Sequence, residues 1–220
     1  MPFRNIASLT VMICCLVAAA LGQDSKEPKA EMSDMPIYIG IVVDCSGSQR
    51  TVLDKTFSAV KQIAESLREK DQAFLVRFVD SAKISVIQDL TGKKEDIEDS
   101  SDSLYIEGGQ SAIIDAVDHS ARYLVENSPD GSVVRTLIVI TDGEDGTSGK
   151  KIEEVVQFLK EKQIRVFAIG ISDLKVSTKL FDRLTKETGG KTFIPRTTVE
   201  LSNSVVEIVK NLRPASTQAK

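Results

Sequence analysis

The chain has 220 residues, 41% of them hydrophobic, which is ample for one buried core and short for two domains. Its formal charge is −4, and its Lys and Arg residues alternate with acids, as in 65–70 and 153–162, so there is no basic stripe and nucleic acid is excluded as a partner. Three cysteines, two of them adjacent near the N-terminus, do not make a disulfide framework.

At the start of the chain Arg4 precedes an apolar stretch from Ile6 to Leu21, with Ala20 and Gly22 as small residues ahead of Gln23. This pattern predicts a signal peptide over 1–22, cleaved on export, and a secreted or periplasmic destination. The stretch is short for a membrane span, and the alternative is an uncleaved N-terminal anchor. After cleavage no stable membrane insertion is expected, and Cys14 and Cys15 leave with the leader. Neither follows a residue suited to lipidation. Cys45 then stands alone, so the mature chain has no internal disulfide even in an oxidising compartment. Residues 23–35 are polar, contain Pro28 and read as a linker.

From Pro36 onward strand and helix patterns alternate, the signature of a doubly wound α/β sheet. Residues 37–44 are nearly continuously apolar, as a parallel strand covered on both faces should be. A helix follows over about 50–70, then a strand over 73–79. Asp80-Ser81 leaves too little chain for a crossover, so the next strand, 83–89, should turn back antiparallel and form an edge. A short helix near 93–100, a loop through Gly108-Gly109 and a helix over 111–126 come next, the last with Ile113, Ile114, Val117, Ala121 and Leu124 facing the sheet. The strand ending at Thr141 precedes a helix over 150–162, a strand over 165–171, a helix over 177–188, a short edge strand over 192–194 and a final helix over 199–212. Residues 213–220 read as a tail. There are no internal repeats.

Chemistry concentrates in three short runs: Asp44-Cys45-Ser46-Gly47-Ser48, Ser111 within Gly108-Gly109-Gln110-Ser111-Ala112, and Thr141-Asp142-Gly143. Asp44 and Asp142 fall at the carboxyl ends of strands, where open α/β sheets bind ligands. Carboxylates combined with hydroxyls suit a small hard cation, which takes oxygen ligands and keeps some waters. Asp44, Ser46, Ser48, Ser111 and Asp142 are therefore the candidate metal ligands. Taken singly, each run has a local reading: Ser46 or Ser48 as a helix cap, Asp142-Gly143 as a turn. Their joint occurrence, each at an element boundary, favours the metal.

Other polar residues receive plainer roles. Glu144 and Asp145 read as a solvated acidic loop capping the helix at 150, and Asp115 as a local hydrogen-bonding residue. On an extended chain Cys45 points away from Asp44 and Ser46, so it is expected to be a buried structural thiol. His119 lies mid-helix about two turns from Ser111, too far for a Ser-His-Asp triad, and is expected at the surface or core edge.

These motifs resemble the metal-ion-dependent adhesion site of von Willebrand factor A domains, in which DxSxS is followed by a separate hydroxyl and a strand-terminal TDG. The segments 44–50, Asp71-Gln72-Ala73-Phe74, 109–116 and 141–145 are most similar to a group of secreted bacterial members described as Acidobacterial-type. The likeness spans roughly 36–212. It implies a Rossmann-like, mostly parallel sheet in the order 3-2-1-4-5-6, with one antiparallel edge strand and helices on both faces. It also implies a Mg2+ ion, or Mn2+ or Ca2+, held directly by hydroxyls and often through water by the aspartates, with one position left for an Asp or Glu of a partner protein. Gly47, Gln110, Gly143 and Glu144 would then border the partner. Two departures stand out: Ser111 replaces a more usual Thr, and Cys45 fills a position usually apolar or hydroxylic. Neither removes an oxygen ligand.

The expected function is an exported, metal-dependent protein-binding module rather than an enzyme. An aspartate at a strand end with Mg2+ also describes haloacid dehalogenase-like phosphatases, but those require a second Asp where this chain has Ser46, and no general acid stands beside Asp44. A secreted structural or inhibitory module acting without the metal is the remaining alternative.

Overall fold

Strand β1 (Ile37–Asp44) is buried along its whole length and forms the centre of the sheet. The structure is a computed structural model and describes residues 34–213; the expected leader, nearly all of the linker, and the tail beyond Arg213 lie outside the described residues. Six strands follow the order β3-β2-β1-β4-β5-β6, where β2 is Gln72–Phe78, β3 Ile84–Thr91, β4 Val134–Thr141, β5 Ile164–Gly170 and β6 Thr192–Phe193. Every neighbouring pair is parallel except β2 with β3. The reversal at β3 comes from a tight turn in which Val79 N donates to Lys83 O and Lys83 N to Asp80 O, as the short Asp80-Ser81 connection requires. The β3 pairing also shifts register on either side of Leu75, which twists this exposed edge.

Two hydrophobic layers sandwich the sheet. Ile37, Ile39, Ile41 and Val43 pack with α1 (Leu53–Glu65) and α6 (Thr198–Leu212), while Tyr38 and Val42 pack with α3 (Ile113–Asn127) and α4 (Ile152–Glu161). The period of two along β1 divides its side chains between the layers. Gly40 belongs to the second face, where a Cβ would stand 2.5 Å from both Leu137 and Phe74. Each fully buried aliphatic side chain contributes roughly 1.5–3 kcal/mol to these layers. Helices α2 (Lys94–Asp102) and α5 (Thr178–Thr188) complete the set. Among the described residues no helix is long and apolar enough to cross a membrane.

Several boundaries differ from the sequence expectation. The helix expected over 50–70 is a 3-10 turn at Gly47–Thr51 followed by α1, which stops at Glu65. There Ser66 N and Leu67 N bond to the carbonyls of Ile63 and Ala64 in tightened turns, and the chain then folds around Asp71. Asp71 is 2% exposed; its Oδ1 accepts the Ile37 amide at 3.0 Å and its Oδ2 accepts the Arg68 amide at 2.8 Å. The guanidinium of Arg213, the first residue past α6, donates to the same Oδ2, so one carboxylate ties together the start of β1, the α1–β2 turn and the end of α6.

Candidate functional site

The alternation that sorts β1 into two layers also decides the fates of its last residue and the one after it. Asp44 continues the Tyr38–Val42 face toward the start of α3, whereas Cys45 continues the opposite face and is fully buried in the α1–α6 layer. Burial pushes the Cys45 thiol up to about 12, so it is a structural side chain, as its position in the pattern suggests.

Around Asp44 the oxygens converge. Its Oδ1 accepts the Ser46 amide at 2.8 Å, and its Oδ2 accepts the Ser111 hydroxyl at 2.7 Å and the Thr141 hydroxyl at 2.5 Å. Ser111 Oγ lies 2.9 Å from Ser46 Oγ, which lies 3.2 Å from Ser48 Oγ. Asp44 is wholly buried at the base of this chain of oxygens and Ser48 is exposed at its other end. Burial raises the Asp44 pKa above the ordinary carboxylate range, against the hydrogen bonds from Thr141, Ser46 and Ser111, which lower it. Ser46 is the N-cap position of the 3-10 turn but makes no side-chain cap bond, so its hydroxyl stays with the cluster. Behind Ser48, buried Gln49 has neither amide atom hydrogen-bonded.

Four of the five candidate ligands thus meet directly. Asp142 does not join their hydrogen bonds: it is 5% exposed, and its Oδ1 accepts the amide of Glu144 at 3.1 Å within its own loop. The hydroxyl that reaches Asp44 from β4 is that of Thr141, which the sequence reading did not single out. The signal was the strand's alternation, since Leu137 and Val139 share a face with Val42, and Thr141 is next in that series.

Ser111 was expected to open a helix, but α3 starts at Ile113 and Ser111 is held in the preceding loop. Its carbonyl accepts the amides of Gly146 at 2.8 Å and Thr147 at 3.2 Å, and Ala112 N donates to Val79 O. The expected cap of the helix at 150 by Glu144 and Asp145 is not formed. Instead Asp145 Oδ1 and Ser148 Oγ accept the Ile114 amide at 3.2 and 3.1 Å, so the acidic loop caps α3, while α4 begins at Ile152 without a side-chain cap. Asp115 answers from α3, accepting the amides of Gly149 at 2.9 Å and Lys150 at 2.8 Å. It is therefore a bridge between distant segments and not a local bond. Although burial pushes its carboxyl up, those two amides hold it below the ordinary range. The reciprocal capping fastens the Ser111 loop to the Asp142 loop.

The other flank of the Ser111 loop is fixed by charge. Arg77, 8% exposed, stacks 4.1 Å over the Tyr105 ring and donates to Glu107 Oε2 at 2.8 Å, while Lys83 donates to Glu107 Oε1 at 2.5 Å. Lys83 and Arg77 hold the Glu107 carboxyl below its usual range. The Glu107 amide in turn donates to Cys45 O at 2.9 Å.

The residues expected to border a partner divide. Gln110 and Glu144 are exposed and line the same groove as Ser46, Ser48 and Ser111; Gly47 is half-buried. Gly143 is buried with φ +87°, and a Cβ there would lie 2.1 Å from Ser177 O and 3.0 Å from the Phe181 ring. Its visible role is to let the loop turn against α5. His119 is exposed on α3, away from any triad.

The donor chemistry fits a small hard cation. The Asp44 cluster offers one carboxylate and the hydroxyls of Ser46, Ser48, Ser111 and Thr141, an oxygen set with few anionic members.

No curated protein matches the sequence. The fold recurs in solved structures of low identity. An aerotolerance-related membrane protein from Bacteroides fragilis NCTC 9343, carrying multiple mutations to serines, superposes with TM-score 0.66 at 18% identity over 79% of this chain and 98% of that one. The pilus adhesin SpaC from Lactobacillus rhamnosus GG, in its open conformation, gives 0.63 at 14% identity over 81% of this chain and 30% of that one. Manganese-loaded TRAP protein of Plasmodium vivax gives 0.61 at 17% identity over 79% and 73%. The family model for the von Willebrand factor type A domain matches residues 39–211, from within β1 to within α6, and the chain belongs to that family.

Proposed function

We propose that the chain is an exported protein-binding module in which a divalent cation at the Asp44 cluster bridges to an Asp or Glu of a partner protein. The observation that carries this reading is the chain of three serine hydroxyls, Ser111, Ser46 and Ser48, that starts on the buried Asp44 carboxylate at the carboxyl edge of a parallel sheet. Ser46, Ser48 and Ser111 would hold Mg2+, Mn2+ or Ca2+ directly, with Asp44 and Asp142 supplying negative charge. Such a cation, with few anionic ligands, supplies the electrophilicity that takes up an external carboxylate. The chain's own residues do the rest: Thr141 and the Ser46 amide orient Asp44, and the capped loops keep Ser111 at its edge.

Domains of this family are for the most part interaction modules, and the neighbours of like fold include a pilus adhesin and a manganese-loaded protein. Export rests on the leader pattern over 1–22. The test is affinity capture from the exported fraction, run in Mg2+ and in EDTA. Capture lost in EDTA, and lost also in folded Ser111→Ala and Asp142→Ala variants, is the expected result. Full capture in EDTA would move the function to a structural module independent of metal.

A further inference from the structure

We infer that the partner presents two carboxylates, not one: the first at the Asp44 cluster and the second on the α5 side of the adjoining groove, with an apolar side chain between them. This rests on the proposed metal bridge and extends it. The cluster opens into a groove of about 730 Å³, far more than a single carboxylate fills. Ser46, Ser48 and Ser111 line it from the segments that follow β1 and precede α3. Ile114, Ile152 and Leu180, partly buried against the α3–α4 layer, give it an apolar wall.

Charge decides how an occupant lies. The anionic side is the 143–146 loop, where Glu144 is exposed and Asp145 is already engaged with the Ile114 amide and Ser148. The cationic side is α5, which contributes Lys179 and Arg183 to the lining. Arg183 pairs with Glu153 at 2.8 Å, but Lys179 is exposed and makes no ion pair among the described residues. Lys179 also stands in a helix turn that has no acidic residue to offset it. An extended segment carries alternate side chains on one face about 7 Å apart, so acid, apolar residue and acid at every second position would meet cluster, wall and Lys179 in turn. Exposed charge pairs of this kind add modest affinity and set the direction of binding.

The experiment titrates the purified protein with three synthetic peptides, blocked at both ends, and follows amide resonances by NMR in Mg2+ and in EDTA. The first is Glu-Gly-Leu-Gly-Glu; the second has glutamine for the last glutamate; the third has serine for leucine. The diacid peptide is expected to bind about fivefold more tightly than the second, the scale of one partly exposed ion pair. The advantage should vanish in the Lys179→Ala and Arg183→Ala double variant, with the second peptide's affinity unchanged. The third peptide should bind more weakly than the first. Equal binding of the first two peptides, abolished by EDTA, would overturn the groove and leave the metal bridge standing. A diacid advantage that persists in EDTA would support the groove and overturn the bridge. No binding of any peptide at millimolar concentration would overturn the groove.

Discussion

Thr141 donates its hydroxyl to Asp44 Oδ2 at 2.5 Å across the paired ends of β1 and β4, so the central carboxylate of the site is oriented by a residue next to the aspartate that the motif emphasises. Oδ2 is shared with Ser111, and Oδ1 is held by the Ser46 amide. Removing the Thr141 hydroxyl leaves a buried carboxylate short of a donor. Thr141→Val keeps the shape and should cost about 1–3 kcal/mol in urea unfolding, while Thr141→Ser should recover most of it. Equal stability of Val and Thr variants would show that Asp44 does not depend on this bond.

Cation binding should stabilise the fold by mass action. At a Mg2+ or Mn2+ concentration tenfold above Kd the gain is about 1.4 kcal/mol, read as a rise in Tm. Titration calorimetry should give one weak site per chain. Asp44→Asn keeps the side-chain outline but removes the charge, and its Tm should not respond to cation. A Tm that rises equally in Asp44→Asn places the stabilising cation elsewhere.

The strands that carry the site were legible because parallel strands buried on both faces read as apolar runs, and the end of each run located Asp44 and Asp142. The antiparallel edge followed from the length of Asp80-Ser81 alone. What escaped was long-range. Asp145 looks like part of a solvated loop because its partner amide, at Ile114, lies 31 positions earlier and on a different helix from the one it precedes. Asp71 likewise carried no assigned role, because its partners Ile37 and Arg213 are 34 and 142 positions away. Backbone amides have no sequence signature as donors, so carboxylates that cap or tie distant segments are seen only once the fold is known.

Asp71 should rank among the costliest polar positions. Asp71→Ala removes an acceptor from two amides and leaves the buried Arg213 charge unpaired, which predicts a loss of about 3–5 kcal/mol in urea unfolding. Arg213→Met leaves Asp71 with both amides and should cost at least about 1 kcal/mol less. Equal losses would mean the amide bonds contribute nothing measurable.

Cys45 gives a pH dependence whose sign is fixed by its raised pKa. In the unfolded chain the thiol ionises near 9.0, whereas in the fold it holds its proton to about 12. Between these values the folded state binds more protons than the unfolded state, so stability falls as pH rises, by up to about 1.4 kcal/mol per unit. The difference in urea stability between the native protein and Cys45→Ala, measured from pH 8 upward, isolates this slope from other groups. A difference that stays flat with pH would contradict it. The native thiol should also resist alkylation at pH 8 and react on unfolding.

The reciprocal capping between the 143–150 loop and the start of α3 should govern cation affinity as well as stability. Asp145 and Ser148 hold the Ile114 amide, Asp115 holds the amides of Gly149 and Lys150, and the Ser111 carbonyl takes those of Gly146 and Thr147. Every one of these bonds joins the loop following Asp142 to the segment bearing Ser111, and none supplies an oxygen to the Asp44 cluster. Asp145→Ala should therefore lower stability by only about 1–2 kcal/mol, the scale of a lost cap, since the hydrophobic layers are untouched. Cation affinity should fall about tenfold, because Ser111 and Asp142 lose their fixed separation and the cation must order them on binding. Asp115→Asn, which keeps one acceptor oxygen, should fall between the native protein and Asp145→Ala. Calorimetry with Mn2+ reads the affinity, and hydrogen exchange at Gly146 and Thr147 reads the loop. Faster exchange together with undiminished affinity would separate the latch from the site and leave it a purely structural device.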